Sequence, residues 1–191
     1  MGQASRYRSP AGRALRGGAR KARNPRPACR RARGAGRHRG LELSGLRVIV
    51  TGAGGFLGRH LCRALDAAGH QVVPLSRRPG PGMVTVEDYR HAPGGDILIH
   101  LAQEPDRARF NAGGAEAANT AVAMLESLLQ GPWERVVYAS SAAVYGDTGA
   151  RPARVSSVVD AGDDYNRCKL ACEARVLDRG GVAARLANLY G

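Results

Sequence analysis

The chain has 191 residues, 43% hydrophobic and 24% charged, which is enough for one packed core and ordinary for a globular protein. Its formal charge of +13 invites a nucleic-acid reading, but residues 1–42 carry 13 Lys and Arg against one acid, while residues 43–191 carry 16 against 15. No run approaches the roughly 20 apolar residues of a membrane-spanning helix, so no membrane partner is expected.

Residues 1–42 are rich in Gly, Pro, Ala and Arg and nearly devoid of aliphatic side chains, so burial cannot offset the entropy of ordering them. They are expected to form a disordered basic leader. The first reading is a stretch translated from an early start codon; a targeting peptide and a basic arm for nucleic acid or an anionic membrane surface are the alternatives, nucleic-acid contact being the lesser. Cys29, Cys62, Cys168 and Cys172 show no CxxC pair and no disulfide-like spacing, which fits free thiols in a reducing cytoplasm.

From residue 43 strand and helix signals alternate. LRVIVTG is a short β-branched run ending at a glycine and reads as a buried parallel strand. GFLGRHLCRALDAAGH follows as a helix with Leu57, Leu61, Ala64 and Ala68 on one face and a stop at Gly69. Strands are predicted at QVVPLS, DILIHLA, RVVYASS and VAARLANLY, and helices at AEAANTAVAMLESLLQG and DDYNRCKLACEARVLDRGG. Between Ser76 and Asp96 only a weak strand, MVTVE, fits, because a parallel crossover usually needs a dozen residues or more. The expectation is a doubly wound, Rossmann-like α/β sheet with an abbreviated edge over residues 43–191.

TGAGGFLG places Gly52, Gly55 and Gly58 at G-x-x-G-x-x-G spacing between a strand and a helix. Glycines allow a tight turn and close approach of a pyrophosphate, and the helix opened by Phe56 and Leu57 aims its N–H dipoles at that charge. After the second strand, Ser76, Arg77 and Arg78 stand where an acid would bind the ribose hydroxyls of NAD; their basic character favours NADP and leaves NAD open. Lys169 is the one lysine among 16 basic residues after Glu42. It lies four positions from Tyr165, hence on one helix face with it, and Cys172 and Val176 continue that face inward. An ammonium there favours a phenolate and donates to ribose hydroxyls, work a planar guanidinium does badly.

The ordered set TGAGGFLG, DILIHLA, Asn119 in NTAVAMLES, SSAAVYG, YNRCK and RLANLYG resembles the extended short-chain dehydrogenases/reductases, specifically the NAD(P)-dependent sugar-nucleotide epimerase/dehydratase group, over Leu46–Gly191. The resemblance implies Tyr165 as general acid/base, Lys169 as its partner and ribose anchor, and Ser141 rather than Ser140 as the hydroxyl that holds the reacting substrate oxygen. It also implies that the backbone at Ala102 passes the cofactor, that Asp88 reaches toward adenine, and that Asn119 is a buried supporting residue. Hydride exchange at the substrate carbon with proton exchange at Tyr165 interconverts alcohol and ketone. Ala142 and Ala143 stand where dehydratases of the group carry an acidic pair, which argues against a dehydratase and leaves epimerase and reductase open.

Members of the group run on past NLYG into a substrate-binding segment, so the resemblance implies the cofactor half of such an enzyme. A nucleotide-sugar would bind once that segment is supplied, and pairing of two copies through the Tyr-Lys helix is implied. The alternative is a non-catalytic NAD(P)-binding module or a gene fragment, with the basic arm contacting nucleic acid. His100 is expected to be a buried, hydrogen-bonded histidine, Trp133 surface packing, and Cys168 with Cys172 no metal site for want of further ligands.

Overall fold

The computed structural model describes residues 45–190, so the leader expected over 1–42 lies outside the described residues. The first strand, β1 (Arg47–Thr51), is buried from Val48 onward, and its alternating side chains serve two layers. Val48 and Val50 join Ala53 under α1 (Phe56–Ala67), while Ile49 enters a larger core on the opposite face of the sheet. The contact face of α1 is Leu61, Cys62 and Leu65, whereas Ala64 and Ala68 of the expected face are exposed. Gly58 is the cause. A Cβ there would stand 2.5 Å from the Gly52 carbonyl oxygen and 2.6 Å from Ala53 Cα, so the helix is pressed onto the turn at Gly58. The residues three, four and seven further on then share its face.

β2 (Gln71–Ser76) pairs with β1, and β3 (Val84–Thr85) adds two residues at the edge of the sheet. The weak strand expected there is thus present, reduced to two residue pairs. A 3₁₀ turn over Tyr89–His91 precedes β4 (Ile97–His100), which lies on the other side of β1. Next come α2 (Arg107–Ala112), for which the sequence reading had no element, and α3 (Gly114–Leu129). β5 (Arg135–Ser141), α4 (Asp164–Asp178) and β6 (Val182–Leu186) are the remaining described elements, the last strand stopping four residues before the end of the expected run.

All strand pairs are parallel and the order is β3-β2-β1-β4-β5-β6. This is the doubly wound, Rossmann-like arrangement. Leu125 and Leu128 of α3 and Cys168, Cys172 and Val176 of α4 pack with Ile49, Leu75, Leu98, Val136 and Tyr138 of the sheet. Trp133 belongs to this core and is not surface packing: its indole N–H donates to the Leu128 carbonyl at the end of α3, and Gly131 leaves room for the ring. No helix among the described residues is long and apolar enough to cross a membrane.

In an ordinary helix Gly→Ala adds stability, by about 1 kcal/mol. Gly58→Ala is expected to do the reverse, costing about 2–3 kcal/mol through overpacking against the turn. Urea unfolding measures this, and an unchanged midpoint would show that α1 can lift from β1 without penalty.

Candidate functional site

The ends of β1, β2, β4 and β5 line one edge of the sheet. Because β2 and β4 leave β1 in opposite directions, a crevice opens at that edge, where parallel sheets accept ligands. Gly52 follows β1 with φ +70°, and a Cβ on it would lie 2.9 Å from the Ala102 nitrogen. Below this contact Thr51 Oγ1 and His100 Nδ1 are 2.7 Å apart, and the Ala102 N–H reaches the same hydroxyl at 3.4 Å. The glycine turn and the segment after β4 are therefore locked together, with Ala102 buried between them. His100 is buried and hydrogen-bonded, as its sequence context suggested. Burial, with Lys169 adding to it, holds its pKa down at about 3, so it is neutral.

Gly55 caps α1 and contributes no side-chain acceptor, which leaves the first-turn N–H groups of Phe56, Leu57 and Gly58 uncapped by any side chain. Ser76 is buried at the end of β2. Its Oγ accepts from the Arg78 N–H at 3.1 Å and would lie 3.2 Å from a Cβ on Gly54. Arg77 and Arg78 are exposed, and the Arg77 guanidinium sits 5.8 Å from the centre of the Tyr89 ring. Arg77, Tyr89 and Ala102 line a cleft of about 500 Å³ whose other wall is α2 and α3, including Phe110, Ala117 and Met124. Asp88 caps the 3₁₀ turn and is engaged by Arg90 through its backbone N–H and guanidinium.

On α4, Tyr165, Lys169, Cys172 and Val176 are all buried on the expected inward face. The Lys169 ammonium donates to the Ala139 carbonyl of β5 at 2.8 Å and lies 4.9 Å from the Tyr138 ring centre and 5.6 Å from that of Tyr165. Burial depresses its pKa to about 8. The Tyr165 hydroxyl has no partner among the described residues, and its ring meets Phe110 edge-on at 5.6 Å. Ser141 ends β5 half-buried, its Oγ accepting from the Ala143 N–H at 3.2 Å; no hydrogen bond joins it to Tyr165 or Lys169. Ser140 is committed elsewhere. Its hydroxyl donates to Glu173 at 2.5 Å within a buried cluster in which Arg185 of β6 also binds Glu173. Burial works to raise the Glu173 carboxyl, but the bonds from Arg185 and Ser140 outweigh it and leave its pKa below the usual range.

Asn119 is exposed on α3, contrary to expectation, because α3 turns Ala118, Ala121, Val122 and Leu125 toward the core instead. The asparagine that does support the site is Asn111 of α2, whose Oδ1 accepts from the Tyr165 N–H at 2.8 Å. The Glu173–Arg185 pair and Asn111 went unread in the sequence. The usable signal was Asp106, an N-cap type three residues ahead of Arg109, whose N–H it accepts. Among the described residues no group of three or more His, Cys, Asp or Glu could hold a metal.

Residues 48–191 match the model of the family described as "NAD dependent epimerase/dehydratase family". The chain is 41% identical to human "Epimerase family protein SDR39U1" over 61 residues, 31% of this chain and 21% of that one. It is 31% identical to the spore coat polysaccharide biosynthesis protein SpsK of Bacillus subtilis (strain 168) over 162 residues, 76% of this chain and 54% of SpsK. Its fold matches a UDP-galactose 4-epimerase structure with TM-score 0.63 and 27% identity, over 73% of this chain and 55% of that one. It also matches RMD from Pseudomonas aeruginosa, solved with NADPH, with TM-score 0.61 and 25% identity over 75% and 54%. The alignments thus span between about a fifth and about half of these proteins. With the family's model matched over residues 48–191, on a parallel sheet whose first strand ends in the glycine turn and against whose fifth strand α4 sets the Tyr165–Lys169 pair, the chain belongs to the NAD-dependent epimerase/dehydratase family.

Proposed function

We propose that residues 43–191 bind a nicotinamide dinucleotide along the strand-end edge and serve an epimerase or reductase acting on a nucleotide-sugar. The observation that carries this reading is the buried ammonium of Lys169, fixed on the Ala139 carbonyl beside Tyr165, at the edge that also bears the glycine turn. The substrate class follows relatives such as the UDP-galactose 4-epimerase.

The residues present fit the cofactor. Exposed Gly54 and Gly55 and the uncapped N-terminus of α1 offer backbone N–H groups to a pyrophosphate with no side chain in the way. Arg77 and Arg78, with no acid at the end of β2, support NADP over NAD. The dinucleotide, when bound, supplies hydride chemistry at a substrate carbon. Lys169 would donate to its ribose hydroxyls, and Gly52 and Ala102 would shape the crevice around it. Tyr165 takes the proton of a substrate hydroxyl when it is a phenolate and becomes a phenol, or gives that proton back in the reverse direction, and the Lys169 ammonium stabilises the negative charge on the phenolate oxygen. Ser141 holds the same substrate oxygen; Ser140, bound to Glu173, has no hydroxyl to spare.

Calorimetric titration of the full chain tests the binding step. NADP⁺ is expected to bind, Gly55→Asp to abolish binding, and Arg77→Asp to weaken NADP⁺ at least about tenfold relative to NAD⁺, the scale of a lost charge-assisted contact. Absence of binding to either dinucleotide would sink the reading. Tyr165→Phe is expected to keep dinucleotide affinity and to lower turnover of any accepted nucleotide-sugar by about 10²-fold or more, read from loss of reduced-nicotinamide absorbance for a reductase and from the ratio of the two sugar epimers for an epimerase.

Lys169 gives a further expectation. Its pKa is about 8 in the fold against an ordinary 10.5. Below about 8 both states are charged and the fold carries the burial cost; between the two values the fold has released a proton that the unfolded chain keeps, so stability rises with pH. Lys169→Met is therefore expected to be more stable than the parent near neutral pH by about 1–3 kcal/mol, with the gain shrinking toward alkaline pH. Urea unfolding at both ends of the range checks the sign.

A further inference from the structure

The short helix α2 meets the Tyr165 segment at three points. Asn111 accepts from the Tyr165 N–H at 2.8 Å and donates through its amide nitrogen to Asp163 Oδ2 at 2.9 Å. Arg107 Nε donates to the same carboxylate oxygen at 2.6 Å, while Asp163 Oδ1 caps α4 by accepting from the Asn166 N–H at 2.8 Å. The Phe110 ring stands edge-on to Tyr165 at an interplanar angle of 85°.

The Tyr165 N–H is one of the first-turn amides that a helix cannot satisfy internally. Asp163 serves Asn166, so the Tyr165 amide needs an acceptor from outside the helix, and Asn111 supplies it while also holding the cap in place. Burial works to raise the Asp163 carboxyl, but bonds from Asn166, Asn111 and Arg107 outweigh it and keep it anionic. The same α2 contributes Arg109 and Phe110 to the wall of the 500 Å³ cleft. A molecule seated in the cleft therefore bears on the helix that seats Tyr165.

We infer that Asn111 is a positioning residue that sets the first turn of α4, and with it the placement of the Tyr165 phenol beside Lys169, and that α2 transmits occupancy of the cleft to that phenol. This inference rests on the reading of Tyr165 as the acid/base at a dinucleotide site. Asn111 touches no reacting atom. Its oxygen acts on the backbone of Tyr165, and Phe110 acts on the ring.

The test is the NMR signal of ring-labelled tyrosine in the full chain, with Tyr165 assigned through Tyr165→Phe, followed while NADP⁺ is added. In the parent chain NADP⁺ is expected to move the Tyr165 ring resonance to a new, single position. In Asn111→Ala the free signal is expected to broaden or split and the NADP⁺-induced displacement to fall by half or more, with NADP⁺ affinity within about twofold of the parent. Asn111→Ser, which restores a shorter acceptor, is expected to recover part of the parent signature. If NADP⁺ binds the parent without moving Tyr165, the dinucleotide-site reading of Tyr165 fails, and the inference with it. If the parent responds and Asn111→Ala responds identically, the inference alone fails. Loss of folding in both the Ala and Ser variants would assign Asn111 a purely structural role and overturn it equally.

Discussion

The backbone of α1 comes down on the β1 turn at Gly58, where a methyl group has no room, and the layout of the strand-end edge follows from that contact. The close approach fixes which face of α1 is buried and sets its first turn directly after β1. Gly52, in a left-handed conformation against Ala102, ties the same turn to the segment after β4. Two backbone contacts, one on each side of β1, thus hold the loops that a phosphate-bearing ligand would meet. Thr51 and His100 brace them from below through a buried hydrogen bond.

The two buried ionic groups of α4 are treated in opposite ways. Glu173 is fully partnered by Arg185 and Ser140 and joins three elements, α4, β5 and β6, into one frame. Lys169, one turn away, has one carbonyl and two ring faces and keeps a depressed pKa. A buried charge with incomplete partners costs stability. Incomplete pairing also leaves its remaining N–H bonds available, whereas Glu173 has nothing left to offer. Burial keeps His100 neutral, so it does not compete with Lys169 as a nearby cation.

The parallel sheet was legible because apolar strand runs, glycine stops and helical stretches alternate over most of the chain from Leu46 to Leu186. The inward face of α4 was equally plain, since Tyr165, Lys169, Cys172 and Val176 share a spacing that only one side of a helix can satisfy. What escaped depended on neighbours distant in sequence. The face of α1 turned on the contact of Gly58 with Gly52, which period counting does not contain. Trp133 found its partner on the end of α3, a carbonyl that a string of residue types does not reveal. α2 is too short for periodicity to mark, and Asn111 matters only because the fold carries it to residues 163 and 165. Asn119 was placed by resemblance, and the packing of α3 turned it outward.

The strand order also governs the route by which a nascent chain reaches this fold. β1 is the first of the described strands to be synthesised and lies inside the sheet, yet one of its ladders is completed only when Ile97–His100 emerge, beginning with the Val48–Ile97 pair. Until then Val48, Ile49 and Val50 present a β-branched, uncharged edge with nothing beside it on that flank. Parallel pairings of this separation form slowly because loop closure precedes any gain from contact. The segment from Leu46 to Thr51 is thus one that a ribosome-bound chain must shield, for a time set by how quickly translation delivers β4.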